Sequence, residues 1–307
     1  MANLKLQAGQ TVVITGAGSG FGLELARLAA AKGLNMVLTE VQQAALDAAV
    51  AELSAVGVQV AALRGDVSRA EDVQALADLC MERFGAPHVV INNAGVAHGG
   101  LIWEHTQRDW EWVLGVNLFG VVHGLRVFMP LMLEAARQDP TWQGHMVNVA
   151  SMAGLLNSPN MGAYNVSKHA VVSLSETLYQ DLALVTDQVH ASVLCPYFVP
   201  TGIHLSHRNR PAELRSEGKP TASQMIAQAM STKAVTSGRV TAADTAQLVF
   251  NAIEAGQFYV YTHPQALGMV QTRLEDVVQA RNPTDPFAGK PELGEQLRKA
   301  LREAMKD

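Results

Sequence analysis

A basic surplus, cysteine pairs and long apolar tracts are all missing from this 307-residue chain, and each absence removes a class of protein. Lys and Arg number 23 against 28 Asp and Glu, a formal net charge of −5, so the basic surface that a nucleic-acid partner needs is not expected. The two cysteines, Cys80 and Cys195, stand in unrelated contexts without metal-ligand spacing, and are expected to be buried, reduced thiols. No run approaches the ~18 consecutive apolar residues of a membrane span. The first ten residues, MANLKLQAGQ, lack the apolar core of a secretory signal. A cytoplasmic protein with neither nucleic acid nor membrane as partner is the expectation.

What the chain does have is apolar bulk in regular alternation. Hydrophobic residues make up 48% and charged residues 17%, enough for one large domain with a well-buried core or for two small ones. Strand candidates lie at 11–15, 35–39, 59–63, 88–91, 145–150, 189–195 and 258–261, with helical patterns such as 23–31, 42–56 and 70–84 between them. Strands alternating with helices predict right-handed crossovers and a parallel sheet covered on both faces. Two stretches depart from this rhythm. Residues 201–240 are polar, with a short amphipathic piece at 222–230, and read as a lid over a substrate. Residues 263–307 carry a helical pattern at 267–280, the turn NPTDP and a charged final helix. They read as a helical extension packed on the same domain or on a neighbouring subunit.

The stretch TVVITGAGSGFG, residues 11–22, concentrates glycine behind a β-branched strand. Glycine clustered there marks backbone that turns sharply or approaches another group closely. Between a strand and an amphipathic helix, small residues let backbone N–H groups reach a pyrophosphate, and the helix dipole favours the negative charge. Further signals follow in chain order: Gly65-Asp66-Val67 after the third strand, Asn92-Asn93-Ala94-Gly95 after the fourth, Asn117 in a long helix and Ser151 after the fifth strand. Tyr164-Asn165-Val166-Ser167-Lys168 and Pro196-Tyr197-Phe198-Val199-Pro200-Thr201 complete the series. Asn before Ala-Gly at a strand end is often turn chemistry alone, but at the carboxyl end of a parallel sheet it also lies where ligands bind.

With the spacing TGxxxGxG over residues 15–22, then NNAG and YxxxK, the chain resembles the short-chain dehydrogenase/reductase family from about residue 10 to 261. The resemblance implies a Rossmann-like, doubly wound parallel sheet of about seven strands, a three-layer α/β/α fold, over residues 1–262. It implies a pyrophosphate loop of Gly16, Gly18, Ser19, Gly20, Phe21 and Gly22, adenosine contacts from Asp66 and Val67, and a wall of Asn93, Ala94 and Gly95. Pro196, Val199 and Thr201 would face the nicotinamide, with Tyr197 where the family usually has glycine. It also implies a homodimer or homotetramer through the long helices at 117–133 and 163–181. Asn117, Ser151, Tyr164 and Lys168 would form the catalytic set, Tyr164 and Lys168 touching the cofactor as well, and Asn117 anchoring a water that links Lys168 to solvent.

The chemistry of that set follows from the residues themselves. Tyr164 and Lys168, spaced i and i+4, share one helix face. A free phenol has a pKa near ~10, and an ammonium close by favours its phenolate. Tyr164 is then expected to take the alcohol proton as hydride leaves carbon, or to donate it in reduction. Ser151 would hold the substrate oxygen. Glu40, ending the second strand, suits both ribose hydroxyls of NAD and repels the 2′-phosphate of NADP, so NAD is expected and NADP is the lesser candidate. His98, Ala153, Leu155, Met161, Tyr197 and Phe198 are the expected substrate wall, mostly apolar, with no arginine placed for a carboxylate except Arg208 and Arg210 in the lid. A small hydrophobic secondary alcohol or ketone fits that wall. His98, His204, His207 and His263 are dispersed in loops, and no metal is expected. Two alternatives stay in view: a non-catalytic dinucleotide sensor on the same fold, which need not keep Ser151, Tyr164 and Lys168, and an epimerase or dehydratase, which needs a larger substrate domain than this tail provides.

Overall fold

A computed structural model describes residues 4–216 and 218–304. Seven strands, β1 (Thr11–Thr15), β2 (Asn35–Glu40), β3 (Val60–Arg64), β4 (Val89–Asn92), β5 (Gly144–Val149), β6 (Val189–Cys195) and β7 (Tyr259–Tyr261), form one parallel sheet in the order β3-β2-β1-β4-β5-β6-β7. The strands are short β-branched runs with both faces buried, as a sheet covered by helices on each side requires. The chain runs outward from β1 to β3, then returns to place β4 on the other side of β1. The carboxyl ends of β1 and β4 therefore flank a crevice, the place where such sheets bind ligands.

One face of the sheet is covered by α1 (Gly20–Ala31), α2 (Gln43–Ser54) and, later in the chain, α8 (Ala242–Ala255), whose Leu25, Leu46 and Phe250 join Ile14 and Leu38 in one apolar cluster. The other face takes α3 (Ala70–Phe84), α4 (Gln107–Leu114), α5 (Gly120–Gln138) and α6 (Gly162–Val185); Leu76, Phe128 and Met132 pack there on Val13, Val90 and Met146. Between α4 and α5 the turns Gly115–Phe119 are π-helical, so residues 107–138 run as one helix. Among the described residues this helix is long and apolar enough, by length and composition, to cross a bilayer. Counting unbroken apolar runs in the sequence missed it, because His123, Arg126 and the glycines interrupt the run without changing its average. Its buried residues, Val121, Phe128, Met129 and Met132, lie in the core against the sheet.

After β6 the excursion is more regular than its polar composition predicts. It holds short 3₁₀ turns at Gly202–Asn209 and Ala212–Leu214 and a full helix α7 (Ala222–Thr236), which runs six residues beyond the expected amphipathic piece. A complete capping box starts α7, Thr221 with Gln224. The tail forms α9 (Leu267–Val278) and α10 (Pro291–Ala304), and α10 packs against α7 of the same chain.

Candidate active site

Glycine sets the shape of the loop after β1. Gly16 has φ +66°, and a Cβ there would stand 2.9 Å from the Ala94 backbone; one on Gly22 would stand 2.0 Å from the Gly16 carbonyl oxygen. Side chains would thus close the cradle between the β1 and β4 loops. The helices α4, α7 and α8 each begin with a full capping box, whereas α1, beginning at this loop, has no side-chain cap and no acidic residue in its first turn. The N–H groups at the start of α1 are left for an anion, which fits a pyrophosphate.

Acidic groups stand beyond the loop. Glu40 ends β2 only 8% exposed, and its carboxylate accepts from Gly18 N at 3.2 Å, Val41 N at 3.0 Å and Gln42 N at 3.2 Å. That grip holds it rigidly at the cavity edge while leaving acceptor capacity for hydroxyls. Arg64 lies opposite Glu40 in the β2–β3 register, with Nε on the Val41 carbonyl, and does not line the cavity. Asp66 Oδ1 is taken by Ser68 N and Oγ, at 2.9 and 2.7 Å. Asn93 serves both of the roles weighed from sequence. Its Nδ2 donates to the Thr15 and Gly16 carbonyls, while Thr15 Oγ1 accepts from Asn93 N and Ala94 N, so turn chemistry welds β1 to β4 where the loop walls the crevice.

At the far end of the same space, Ser151, Tyr164 and Lys168 converge around the ends of β5 and α6. Lys168 is 2% exposed, with Nζ donating to the Val149 carbonyl at 2.9 Å and lying 5.8 Å from the Tyr164 ring centre. Burial lowers its ammonium to about 8. Burial also raises the Tyr164 phenol, an effect that the neighbouring Ser151 hydroxyl partly offsets. In the protein alone desolvation is the larger effect on Tyr164, and the phenolate expected from sequence calls for the positive nicotinamide ring beside the lysine as well. Asn117, in the π-helical turn, is fully buried; its Oδ1 accepts from Val96 N at 2.8 Å and its Nδ2 donates to the Val96 carbonyl and to Ser167 Oγ. Both amide hydrogens are thus spent on clamping the β4 loop to α6. A water held at this residue would sit on its main chain.

One cavity of about 1750 Å³ joins these ends. Gly16, Ser19, Gly20, Phe21, Glu40, Asp66, Val67, Asn93, Ala94, Gly95, Ser151, Tyr164, Lys168, Pro196, Val199 and Thr201 all line it, as do Ala153, Met161, Tyr197 and Phe198. Gly18, Gly22 and Asn117 stand behind the wall as supports. Two expected substrate residues are misplaced. Leu155 packs into the apolar cluster beneath α6 rather than facing the cavity. His98 turns away to the buried carboxylate of Asp109, 3.2 Å distant, and toward the His105 and Trp112 rings. Tyr197, in the position where glycine was the family norm, packs on Phe198 with ring centres 4.2 Å apart and meets His263 edge-on, while its N–H donates to Thr262 Oγ1.

Asp109 also anchors the segment after β6 through Arg210 and Ser216. Arg210 Nη1 sits 2.7 Å from Oδ1, Ser216 Oγ donates to the same oxygen at 3.2 Å, and Thr106 N and Oγ1 hold Oδ2. Burial by itself would raise this carboxyl, but the His98 and Thr106 hydrogen bonds hold it well below the usual range. His98, His105 and Asp109 bring ligand-type atoms within 4.8 Å of one another, yet Arg210 already occupies the oxygen a cation would need. The sequence reading missed the tail as part of the site: α9 and the 283–290 segment line the cavity, bringing Met269, Arg273 and Phe287 to it. The signal was the stripe 269, 272, 273, 276 within the expected helix, which was read only as part of an extension packed on the same domain or on a neighbouring subunit.

A glycine-shaped loop after β1, an acid ending β2 and a buried Ser–Tyr–Lys group thus meet around one cavity on a Rossmann-like sheet, the arrangement of a short-chain oxidoreductase. The chain belongs to the short chain dehydrogenase family, whose model matches residues 10–211. It is similar to a short-chain dehydrogenase/reductase from Burkholderia phymatum solved in complex with NAD, at 50% identity and a TM-score of 0.89, covering 92% of this chain and 99% of that one. A dehydrogenase/reductase of CLA biosynthesis from Lactiplantibacillus plantarum is 32% identical over 88% of this chain and 93% of its own length. A 1-deoxy-11-beta-hydroxypentalenate dehydrogenase from Streptomyces avermitilis is 33% identical over 87% of each chain.

Proposed function

We propose that this protein is an NAD-dependent oxidoreductase that moves hydride between the nicotinamide and a hydrophobic secondary alcohol or ketone, with Tyr164 as acid and base. The observation that carries the reading is the single cavity with the glycine cradle and Glu40 at one end and Ser151, Tyr164 and Lys168 at the other. Held by the loop after β1 and the wall of residues 93–95, the cofactor supplies the hydride acceptor or donor. Ser151 orients the substrate oxygen and donates to it as negative charge develops. Tyr164, kept protonated by burial, gives its proton to that oxygen in reduction and recovers it in oxidation. Lys168, charged below about pH 8, supports the phenolate at each turnover. Met161, Tyr197 and Phe198 exclude water and favour an apolar body. The relative named 1-deoxy-11-beta-hydroxypentalenate dehydrogenase, a name that carries a hydroxyl, supports an alcohol as hydride donor. The protein bound in complex with NAD supports that cofactor, as does Glu40 in this chain.

Tyr164→Phe is the test. Turnover is expected to fall by 10²-fold or more, since positioned proton transfer is worth roughly 10²–10⁴-fold, while the affinity for NADH, followed by fluorescence, stays within a few-fold. A purified variant with near-normal turnover would remove Tyr164 from the chemistry and the proposed mechanism with it.

A further inference from the structure

The tail side of the cavity mixes apolar side chains with charged ones, Arg273, Arg281 and Lys290 among them. Arg273 stands in the second turn of α9 and lines the cavity beside Met161, Tyr197, Met269 and Phe287. It is half-buried, and among the described residues it has no ion pair and no hydrogen bond. Arg281 Nε lies 3.0 Å from Asp276, Asp276 also accepts from Thr284 N, and Asp285 accepts from Phe287 N, while Lys290 is a second tail cation on the same lining, without the planar fork of an arginine. Arg210, considered from sequence, is locked onto Asp109, and Arg208 lies beside Gly202 at the start of the lid, toward the cofactor loop. Arg273 stands instead beside α6, where its charge adds to the burial that keeps His169 neutral. His169 follows Lys168 directly and lies about 7.5 Å along the helix from Tyr164, five residues at 1.5 Å each.

A half-buried guanidinium on the cavity wall, with no ion pair among the described residues, keeps its forked donors open, so an anion arriving with the substrate is its natural complement. Resting on the oxidoreductase reading above, we propose that the substrate is an apolar secondary alcohol or ketone that also bears a carboxylate, and that Arg273 receives this carboxylate at a distance from the reacting carbon. One cation with a planar, forked donor set suits a single carboxylate in two parallel hydrogen bonds. Arg273 is a specificity-determining residue: it fixes the far end of the substrate and, through that, which carbon lies under Tyr164.

The probes are secondary hydroxy acids with the hydroxyl next to the terminal methyl, from hexanoate to dodecanoate, each against its methyl ester. The readout is the ratio of kcat/KM for acid over ester in the unmodified protein, in Arg273→Met and in Arg273→Lys. The unmodified protein is expected to favour the acid at least tenfold at the best chain length, chiefly through KM. Arg273→Met should bring the ratio near one, and Arg273→Lys should restore part of it, which a merely structural role would not do. Binding of acid and ester to the Tyr164→Phe protein loaded with NADH, measured by calorimetry, separates this proposal from the functional reading. Acid preference in binding that is lost in Tyr164→Phe/Arg273→Met supports the anion site even if no turnover is seen, and in that case it is the oxidoreductase reading that falls. Turnover or binding with no preference for the acid at any chain length overturns the assignment of Arg273 and leaves that reading standing.

Discussion

The proposed preference for NAD, between two cofactors that differ by a phosphate, rests on one side chain, Glu40. Three backbone N–H groups, Gly18, Val41 and Gln42, hold its carboxylate in place, so it cannot swing aside to admit a second negative group. The nearest cation in the strand register, Arg64, has its Nε committed to the Val41 carbonyl. The unmodified protein is expected to prefer NAD over NADP by at least about tenfold in kcat/KM, equivalent to ~1.4 kcal/mol, and Glu40→Ala to narrow that margin. Equal or better efficiency with NADP before any substitution would contradict the assignment. The residues that could be read from sequence are those whose chemistry is local. Gly16 to Gly22, Asn93, Ser151, Tyr164 and Lys168 each sit at the end of a strand or on one helix face, where short-range spacing determines what they can reach. His98 and Leu155 were misread because the direction of a loop side chain depends on distant partners. His98 follows Asp109 and Trp112, eleven and fourteen residues further on, and no local pattern records that.

At the scale of elements, the sheet was legible and the lid was not. β1 and β6 fall where β-branched runs place them, and the remaining strands shift by a residue or so at their ends. The lid, by contrast, is polar because it is held by polar contacts. Besides the Asp109–Arg210 pair, Glu104 accepts from Thr221 Oγ1 and Ser223 Oγ at the start of α7, and Ala97 N donates to Ser206 Oγ. Composition alone cannot distinguish such a segment from a loosely held one. Asp109 is fully buried, so Asp109→Asn leaves the Arg210 charge uncompensated, a loss of roughly 3–5 kcal/mol for a buried pair. The expected result is lower stability, faster amide exchange across 202–216 and a raised KM. The double variant Asp109→Asn/Arg210→Met should recover part of the stability but not the KM, because no buried charge remains while the latch is still absent. Exchange across 202–216 unchanged in Asp109→Asn would show that this pair does not hold the lid.

For the whole molecule, the question is what covers the apolar surface that the fold leaves outside. The helix over residues 107–138 contains an eighteen-residue window apolar enough for a bilayer, yet only 39% of that window is buried within the chain. Its neighbour α6 ends in Leu184 and Val185, 83% and 69% exposed, and Phe119 and Val166 stand 49% and 46% exposed near the start of α5 and in the first turns of α6. Scattered exposed apolar residues need no explanation, but a long apolar helix with so little of its most apolar window buried does. A second copy presenting the same two helices would cover it, and about 800 Å² from each partner would make a specific interface. The catalytic group adds a reason for such an arrangement. Tyr164 and Lys168 lie on α6, and Asn117 clamps the turn before α5 to that helix through Ser167, so an interface built on these helices would stiffen the site directly. We expect a homodimer or homotetramer in solution, with Phe119→Glu and Val166→Glu shifting the mass toward the single chain and lowering turnover with it. Light scattering across a range of concentrations measures this. A single-chain mass for the unmodified protein at every concentration would exclude the shared bundle and leave the apolar face of α5 and α6 to some other cover.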